Sequence, residues 1–284
     1  MEDGVFPPHH RIIAIGDIHG DLQGFKNCLI KAKIIDKGDN WIGKDTYVVQ
    51  VGDQIDGRTR IGQWKSDKEE DLIFFIQDLD ERAKRHGGRV LSLIGNHEIM
   101  NIQGNFAYAS DSGVKMFGGI ENRKALFTKG GLMTTLLQRT RYAVIKIGDW
   151  LFVHGGVLPR ISENYTIPYV NKIFRKFCKK EGITDEKELK DFKNIFDRND
   201  GILYYRGYSD DKPNKYFAKK ALENWNCKHM VIGHTIQPKI RKLFDGMIWC
   251  IDTGISRAFG CGKDWESRAQ CLEIINNENT NIII

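Results

Sequence analysis

Short runs of β-branched and aromatic residues recur along this chain, with longer, mixed stretches between them. The runs at Arg11–Ile15, Thr46–Val51, Arg89–Ile94, Tyr142–Ile147, Trp150–Val153, His229–Ile232 and Met247–Ile251 each predict a strand. The first three are separated by stretches long enough for crossover helices. Leu22–Ala32 and Lys68–His86 are the clearest of these, the second with Leu72, Phe75, Ile76 and Leu79 on one face. Gly87-Gly88 then supplies the C-terminal stop. Gly148-Asp149, between two apolar runs, predicts a tight hairpin. The order implies parallel βαβ units first and a more mixed sheet afterwards, an α/β chain.

Two segments read as insertions. Residues 101–137 are glycine-rich, with Gly104, Gly113, Gly118-Gly119 and Gly130-Gly131. Residues 161–221 are long and charged, with an amphipathic helix expected from Thr184 or Asp185 onward that carries Leu189, Phe192 and Phe196. Each is either ordinary surface connection or a rim that touches substrate, because long insertions in compact domains often carry function. No internal repeat is visible, and the tail NNENTNIII is too short to assign.

Composition narrows the class. At 284 residues and 41% hydrophobic, the chain can form one large domain, residues 1–284, with those two insertions and a sizeable core. No apolar run approaches the roughly 20 residues a bilayer requires, and Met1–Arg11 lacks the apolar centre of a signal peptide, so a soluble, cytoplasmic protein is expected. The six cysteines (Cys28, Cys178, Cys227, Cys250, Cys261, Cys271) show neither a C-x-x-C pair nor zinc spacing, which reads as reduced thiols. The net charge of +6, from 43 basic and 37 acidic residues, is spread along the chain and does not argue for nucleic acid. A mildly basic surface suits a phosphorylated or acidic substrate.

The candidate chemistry lies at the carboxyl end of each apolar run. RIIAI leads into GDIHG (Asp17, His19) and YVVQV into GDQID (Asp53, Asp56). RVLSLI leads into GNHE (Asn96, His97, Glu98), WLFV into HGG (His154) and HMVI into GHT (His234). Any one of these alone would pass for a surface turn or a satisfied histidine. Five strands that each end in glycine beside Asp, Asn or His form a pattern. Carboxyl ends of strands in an α/β sheet face one crevice, where such proteins place ligands. Carboxylate, amide and imidazole donors without thiolate suit iron, manganese, zinc or magnesium. Six such side chains exceed the needs of one four-coordinate ion and suffice for two ions that share a carboxylate, an arrangement used in phosphoester hydrolysis.

GDIHG, GDQID, GNHE, HGG and GHT, in that order, resemble the signature of the metallophosphoesterases. HGGVLP (His154–Pro159), GNHEIMN (Gly95–Asn101), YYRGY (Tyr204–Tyr208) and GHTIQ (Gly233–Gln237) are similar to the bacterial-type, Shewanella-like branch of the phosphoprotein phosphatase superfamily. IDTG at Ile251–Gly254 is a further match, so the likeness spans most of the chain. The resemblance implies a calcineurin-like fold, two mixed β-sheets packed as a sandwich and flanked by helices, with the metal site at the strand ends. It implies Asp17 and His19 as ligands of a first ion, Asp53 as the bridge, and Asn96, His154 and His234 as ligands of a second, the ions being manganese, iron or zinc. His97 would be the general acid, Asp56 the carboxylate that orients it, and Glu98 a support for the loop. The expected reaction is direct attack on a phosphomonoester by a hydroxide shared between the ions, as such a nucleophile is strong at neutral pH. An alkoxide leaving group also needs a positioned proton donor, and imidazole titrates in the useful range.

One departure stands out. The family pattern has arginine directly after the second aspartate of its second motif, whereas this chain reads Asp56-Gly57-Arg58. Arg58 is the expected phosphate grip, with Arg60 as a substitute and Arg206 of YYRGY as the other clamp, because guanidinium matches phosphate in a bidentate fashion. The expected substrate is a phosphoprotein carrying phospho-Ser/Thr or phospho-Tyr. The competing readings are hydrolysis of dinucleoside polyphosphates or another small phosphoester, and an inactive module that only binds phosphate.

Overall fold

The computed structural model describes residues 3–58, 66, 68–210, 212–260 and 265–284. Arg60 and Cys261 lie outside the described residues. The strands are β1 (Val5–Phe6), β2 (Arg11–Ile15), β3 (Tyr47–Gln50), β4 (Arg89–Leu93), β5 (Arg141–Tyr142), β6 (Val144–Ile147), β7 (Trp150–Val153), β8 (His229–Ile232), β9 (Arg241–Leu243), β10 (Ile248–Cys250), β11 (Cys271–Ile275) and β12 (Asn279–Ile283). They form two six-stranded sheets, ordered β12-β11-β2-β3-β4-β5 and β1-β6-β7-β8-β10-β9. In the first, β2, β3, β4 and β5 run parallel, and β11 joins β2 antiparallel. The second is mixed, with β6–β7 and β9–β10 antiparallel and β7, β8 and β10 parallel.

Side-chain alternation explains why the strands read as unbroken apolar runs. Ile12 and Ala14 of β2, with Val49, Val51, Leu91 and Leu93, face across to Trp150, Phe152, Val231 and Trp249 of the other sheet. Ile13 and Ile15 point the opposite way, against Phe25 and Leu29 of helix Leu22–Lys31 and Leu72, Ile76 and Leu79 of helix Glu69–Lys84. With both faces buried, these strands are nearly all apolar, and the buried polar Gln50 at the end of β3 is satisfied by donating to Gly16 O and Gly52 O. Asp21 starts the first helix by accepting the N–H of Gly24 at 3.0 Å. The second helix places Glu69, Glu70 and Asp71 in its first turn and Arg82 and Lys84 in its last, matching its dipole.

Three expectations need correction. The run Tyr142–Ile147 is two strands rather than one: Arg141–Tyr142 pairs with β4 in the first sheet, and Val144–Ile147 pairs with β7 in the second. The chain crosses between sheets at Ala143, where Asn171 Oδ1 accepts the N–H groups of Ala143 and Val144 at 2.8 and 3.3 Å. The tail, too short to assign from sequence, also has structure: Asn279–Ile283 pairs antiparallel with β11 as an edge strand, with Asn279, Asn281 and Ile282 exposed. Leu189, expected on an apolar face, is 40% exposed, whereas Phe192 and Phe196 are buried.

The hairpin at Gly148-Asp149 forms as the sequence indicates, with Ile147 opposite Trp150. Neither the glycine-rich nor the charged insertion is mere surface connection. Segment 101–137 folds into helices that bury Phe117, Phe127, Met133 and Leu137 against Ile55 and Ile73. Segment 161–221 supplies helices Ile167–Cys178, Glu186–Ile195 and Lys215–Asn224, whose apolar faces cover the outer side of the second sheet. Cys28, Cys178, Cys227, Cys250 and Cys271 are buried and unpaired. Among the described residues, no helix is long and apolar enough to cross a membrane.

Trp150 is fully buried between the sheets, and its Nε1–H donates to Asn277 O at 3.0 Å. Trp150→Ala should therefore cost about 3–5 kcal/mol. Urea unfolding should show a lowered midpoint, and an unchanged midpoint would mean that the inter-sheet layer tolerates the cavity.

Candidate active site

Both sheets end at the same place. The loops after β2, β3 and β4 of one sheet meet the loops after β7, β8 and β10 of the other, and together they form the floor of a cavity of about 750 Å³. His19, Asp53, Asn96, His97, His234 and Asp252 line it. The turns that bring them there are unusual. His19, Asp53, Asp56 and His234 adopt left-handed backbone, with φ of +43°, +52°, +68° and +66°. Non-glycine residues pay for that conformation, and it persists only where surrounding contacts enforce it.

Asp53 is the centre of those contacts. Its carbonyl accepts the N–H groups of Ile18 and His19 at 3.0 and 2.9 Å, tying the β3 loop to the β2 loop. Its Oδ1 accepts the backbone N–H of His97 at 3.0 Å, which adds the β4 loop. Its Oδ2 faces His154 Nε2 at 3.3 Å, His19 Nε2 at 3.7 Å and His97 Nε2 at 3.8 Å. Burial pushes the Asp53 carboxyl up, but the imidazoles of His154, His97 and His19 outweigh it and hold the group well below the usual carboxylate range.

Two donor sets share this carboxylate: His19, Asp53 and His97, and Asp53, His154 and His234. Within each, the potential ligand atoms lie within 4.8 Å of one another. The ring orientations are fixed from behind. His154 Nδ1 lies 2.9 Å from Val51 O and His19 Nδ1 lies 3.2 Å from Ile55 O, so each Nδ1 donates to a carbonyl and each Nε2 turns toward Asp53 Oδ2. His154 Nε2 then meets Asp53 Oδ2 and, at 3.0 Å, Asn96 Oδ1. His154 Nε2, Asp53 Oδ2 and Asn96 Oδ1 thus come together, a grouping of nitrogen and oxygen donors that suits a cation. Burial and the neighbouring His154 also hold His234 far below the usual imidazole range, in the neutral form that ligates metal. The donor chemistry fits divalent ions.

Asp17 lies in neither set. Both of its oxygens lie within hydrogen-bond reach of the His234 N–H, at 3.2 and 3.0 Å, so it anchors the β8 loop from below. Burial, with Asp252 and Asp53 nearby, pushes its carboxyl well up. His97 Nδ1 meets Asp56 Oδ2 at 2.9 Å. Burial pulls the His97 imidazole down, and the carboxylates of Asp53 and Asp56 more than reverse that, so it lies above the usual imidazole value. Glu98 faces away from the cavity, where its two oxygens accept the N–H groups of Gly95, Asp53, Gln54 and Ile55 at 2.6–3.3 Å. Gly95 is required beside it, since a Cβ there would lie 2.1 Å from Asp53 Oδ1.

The arginines divide. Arg206 lines the cavity, with Nη1 donating to His234 O and Thr235 Oγ1, both at 3.0 Å. Arg58 is exposed and its Nη1 donates to Ala107 O at 2.8 Å, and it is not among the residues that line the cavity. The glycine before it has a steric cause. A Cβ at position 57 would sit 2.4 Å from Ser66 Cβ and 2.7 Å from His19 O, so no arginine fits directly after Asp56 in this loop.

Four further residues contribute, of which only Asp252, inside the IDTG run, belongs to a motif that the sequence shows. Asp252 follows β10 and obeys the same strand-end rule as the others; burial first, then Asp53, pushes its carboxyl up to about 6. Arg198 joins Arg206 on the cavity wall. Tyr108 and Phe259 set ring edges against His97 and His19, at 5.0 and 5.1 Å between centroids. These three sit in loops without any motif, so only the folded chain reveals them.

Comparison with known proteins agrees with this geometry. The profile of the calcineurin-like phosphoesterases matches residues 10–238. Shewanella-like protein phosphatase 2 of Arabidopsis thaliana is 27% identical over 98% of this chain and 78% of its own length. Shewanella-like protein phosphatase 1 of Plasmodium berghei is 31% identical over 90% of this chain and 70% of its own. The solved cold-active protein-tyrosine phosphatase of a psychrophilic Shewanella has the same fold, with a TM-score of 0.77 at 24% identity over the whole of this chain and 83% of that one. With its two mixed sheets, its flanking helices and its crevice of Asp, Asn and His at the strand ends, the chain belongs to the calcineurin-like phosphoesterases, as a phosphoester hydrolase akin to the Shewanella-like protein phosphatases.

Proposed function

We propose that the chain removes phosphate from phosphorylated side chains of proteins, using two divalent ions (manganese, iron or zinc) that share Asp53, with His97 as general acid. The observation that carries this reading is one buried carboxylate, Asp53, grouped both with His19 and with His154 and His234 at the floor of an arginine-walled cavity. The names of the relatives support a protein substrate. His19 and Asp53, with Asp17 beside them, would hold one ion, and Asp53, Asn96, His154 and His234 the other. When bound, such ions supply Lewis acidity and acidify a water molecule toward neutral pH.

The remaining roles fall to the chain's own groups. His97 has carboxylates on both ring nitrogens, Asp56 at 2.9 Å and Asp53 at 3.8 Å, which favours a proton donor over a metal ligand. With Asp56 holding Nδ1–H, its Nε2 proton can go to the departing alkoxide or phenoxide oxygen as the P–O bond breaks. Arg206 and Arg198 would grip phosphoryl oxygens from the wall. Arg58, which donates to Ala107 O, would act through the loop at the cavity's edge rather than from its wall. Tyr108, Tyr204, Ile236 and Phe259 would pack the carbon part of the substrate.

Purified protein with added manganese should hydrolyse p-nitrophenyl phosphate and phosphopeptides, assayed with both phosphoseryl and phosphotyrosyl forms. Preference for a dinucleoside tetraphosphate would transfer the reading to small phosphoesters, and no turnover of any substrate would leave a phosphate-binding module. Asp53→Asn should lose at least one equivalent of bound metal together with activity, measured by elemental analysis; full metal content at an unchanged rate would refute the shared-ligand role. Arg206→Ala should raise KM by about tenfold or more, the loss of a charged hydrogen bond to phosphate, while Arg58→Ala changes KM by less than about threefold. The reverse ranking in steady-state kinetics would return the clamp to Arg58.

A further inference from the structure

The acid and its carboxylate partner are held by a third layer that reaches into segment 101–137. Arg123, on helix Ile120–Phe127, is fully buried. Its Nη2 donates to Asp56 Oδ1 at 2.9 Å and its Nη1 to Glu69 Oε2 at 2.8 Å. Nε and Nη2 also donate to Asn101 Oδ1, at 3.1 and 2.9 Å. Asn101 Nδ2 in turn donates to Asp56 Oδ2 at 2.9 Å, the same oxygen that meets His97 Nδ1. Glu69 closes the loop by accepting the N–H of Gly57 on its other oxygen at 3.0 Å. The rings of Phe117 and Phe127 stand 5.0 and 5.3 Å from the guanidinium carbon.

Stability alone does not call for such a cluster. A buried ion pair is often no better than apolar residues of the same volume, because desolvation cancels the attraction. What it provides is direction. With Oδ1 taken by Arg123 and Oδ2 divided between Asn101 and His97, the Asp56 carboxylate cannot turn about its own axis without breaking a buried hydrogen bond. The plane of that carboxylate sets the direction of the His97 ring.

We infer that Arg123 is a positioning residue for proton transfer: it clamps Asp56 so that His97 keeps Nδ1–H engaged and Nε2 aimed at the leaving oxygen. Segment 101–137 thereby supports the acid from behind as well as walling the cavity. The inference rests on the proposed role of His97 as the acid.

The test compares the full-length wild type with R123K, R123M, H97A and the H97A/R123M double variant, loaded with manganese, on aryl phosphates ranging from p-nitrophenyl to phenyl. H97A should retain metal and lose rate most on phenyl phosphate, within the roughly 10²–10⁴-fold range of a general acid. R123M should lower kcat on phenyl phosphate by about tenfold more than on p-nitrophenyl phosphate, a fraction of that range, with KM and metal content within about twofold. R123K should fall between wild type and R123M, and adding R123M to H97A should leave the leaving-group dependence unchanged. If R123M does not fold, R123K carries the comparison and must still show the larger loss on phenyl phosphate. Equal losses on every substrate in the arginine variants, with H97A behaving as expected, would reduce Arg123 to a structural ion pair. A flat response of H97A itself would instead overturn the acid role.

Discussion

Burying a carboxylate at the meeting point of two sheets is the constraint on which this structure turns. Asp53 is 2% exposed, and it sits in left-handed backbone at the end of β3. An isolated charge there would be expelled or neutralised. It persists because the loops of both sheets converge on it. The backbone N–H of His97 donates to its carboxylate, Glu98 accepts its own N–H, and the imidazoles of His19, His97 and His154 surround it. The imidazoles hold it ionised against burial. Of the groups that stabilise the charge, His19 and His154 are those that would share ions with it and His97 is the proposed acid, so folding and the site are one electrostatic problem.

Around this centre the protein separates direct from supporting roles by placing them on opposite sides of the loops. Cavity-facing groups are His19, Asp53, Asn96, His97, His234 and Asp252. Behind them, Glu98 gathers four backbone N–H groups, while Asp17, a proposed ligand beside His19 and Asp53, also accepts the N–H of His234. Hydrogen bonds from backbone to buried carboxylate are strong where water is excluded, and each lost partner would leave a buried donor orphaned. The strained φ values at His19, Asp53, Asp56 and His234 are maintained by this layer rather than by local sequence preference.

Much of the fold was legible because its strands are buried on both faces and therefore stand out as apolar runs. Arg11–Ile15, Trp150–Val153 and His229–Ile232 form where the run predicts them. What escaped was of a different kind. Residues 142–147 look like one strand because Tyr142, Ala143 and Val144 are all apolar, yet the chain changes sheets there, and only Asn171, distant in sequence, fixes where. The β12 edge escaped because its apolar residues are confined to Ile282 and Ile283 after three polar positions, too short a run to mark a strand. The glycine-rich insertion hides helices whose apolar faces pack against Ile55 and Ile73, and the charged one holds helices against the second sheet beyond the one its periodicity predicts.

The sequence by itself determined which strand ends carry Asp, Asn and His, because that rule is local: an apolar run, a glycine, then a polar side chain. It also exposed the displaced arginine after Asp56. Tertiary structure alone decided how these groups are shared out. Asp17 faces a backbone N–H across 217 positions of sequence, Arg58 turns to Ala107, and Arg123 crosses 67 positions to reach Asp56. Such partnerships depend on distances between loops from two different sheets and an insertion, and no spacing within a single segment encodes them. The steric filling of the space at Gly57 by Ser66 and His19 is of the same kind, since it is set by neighbours in space.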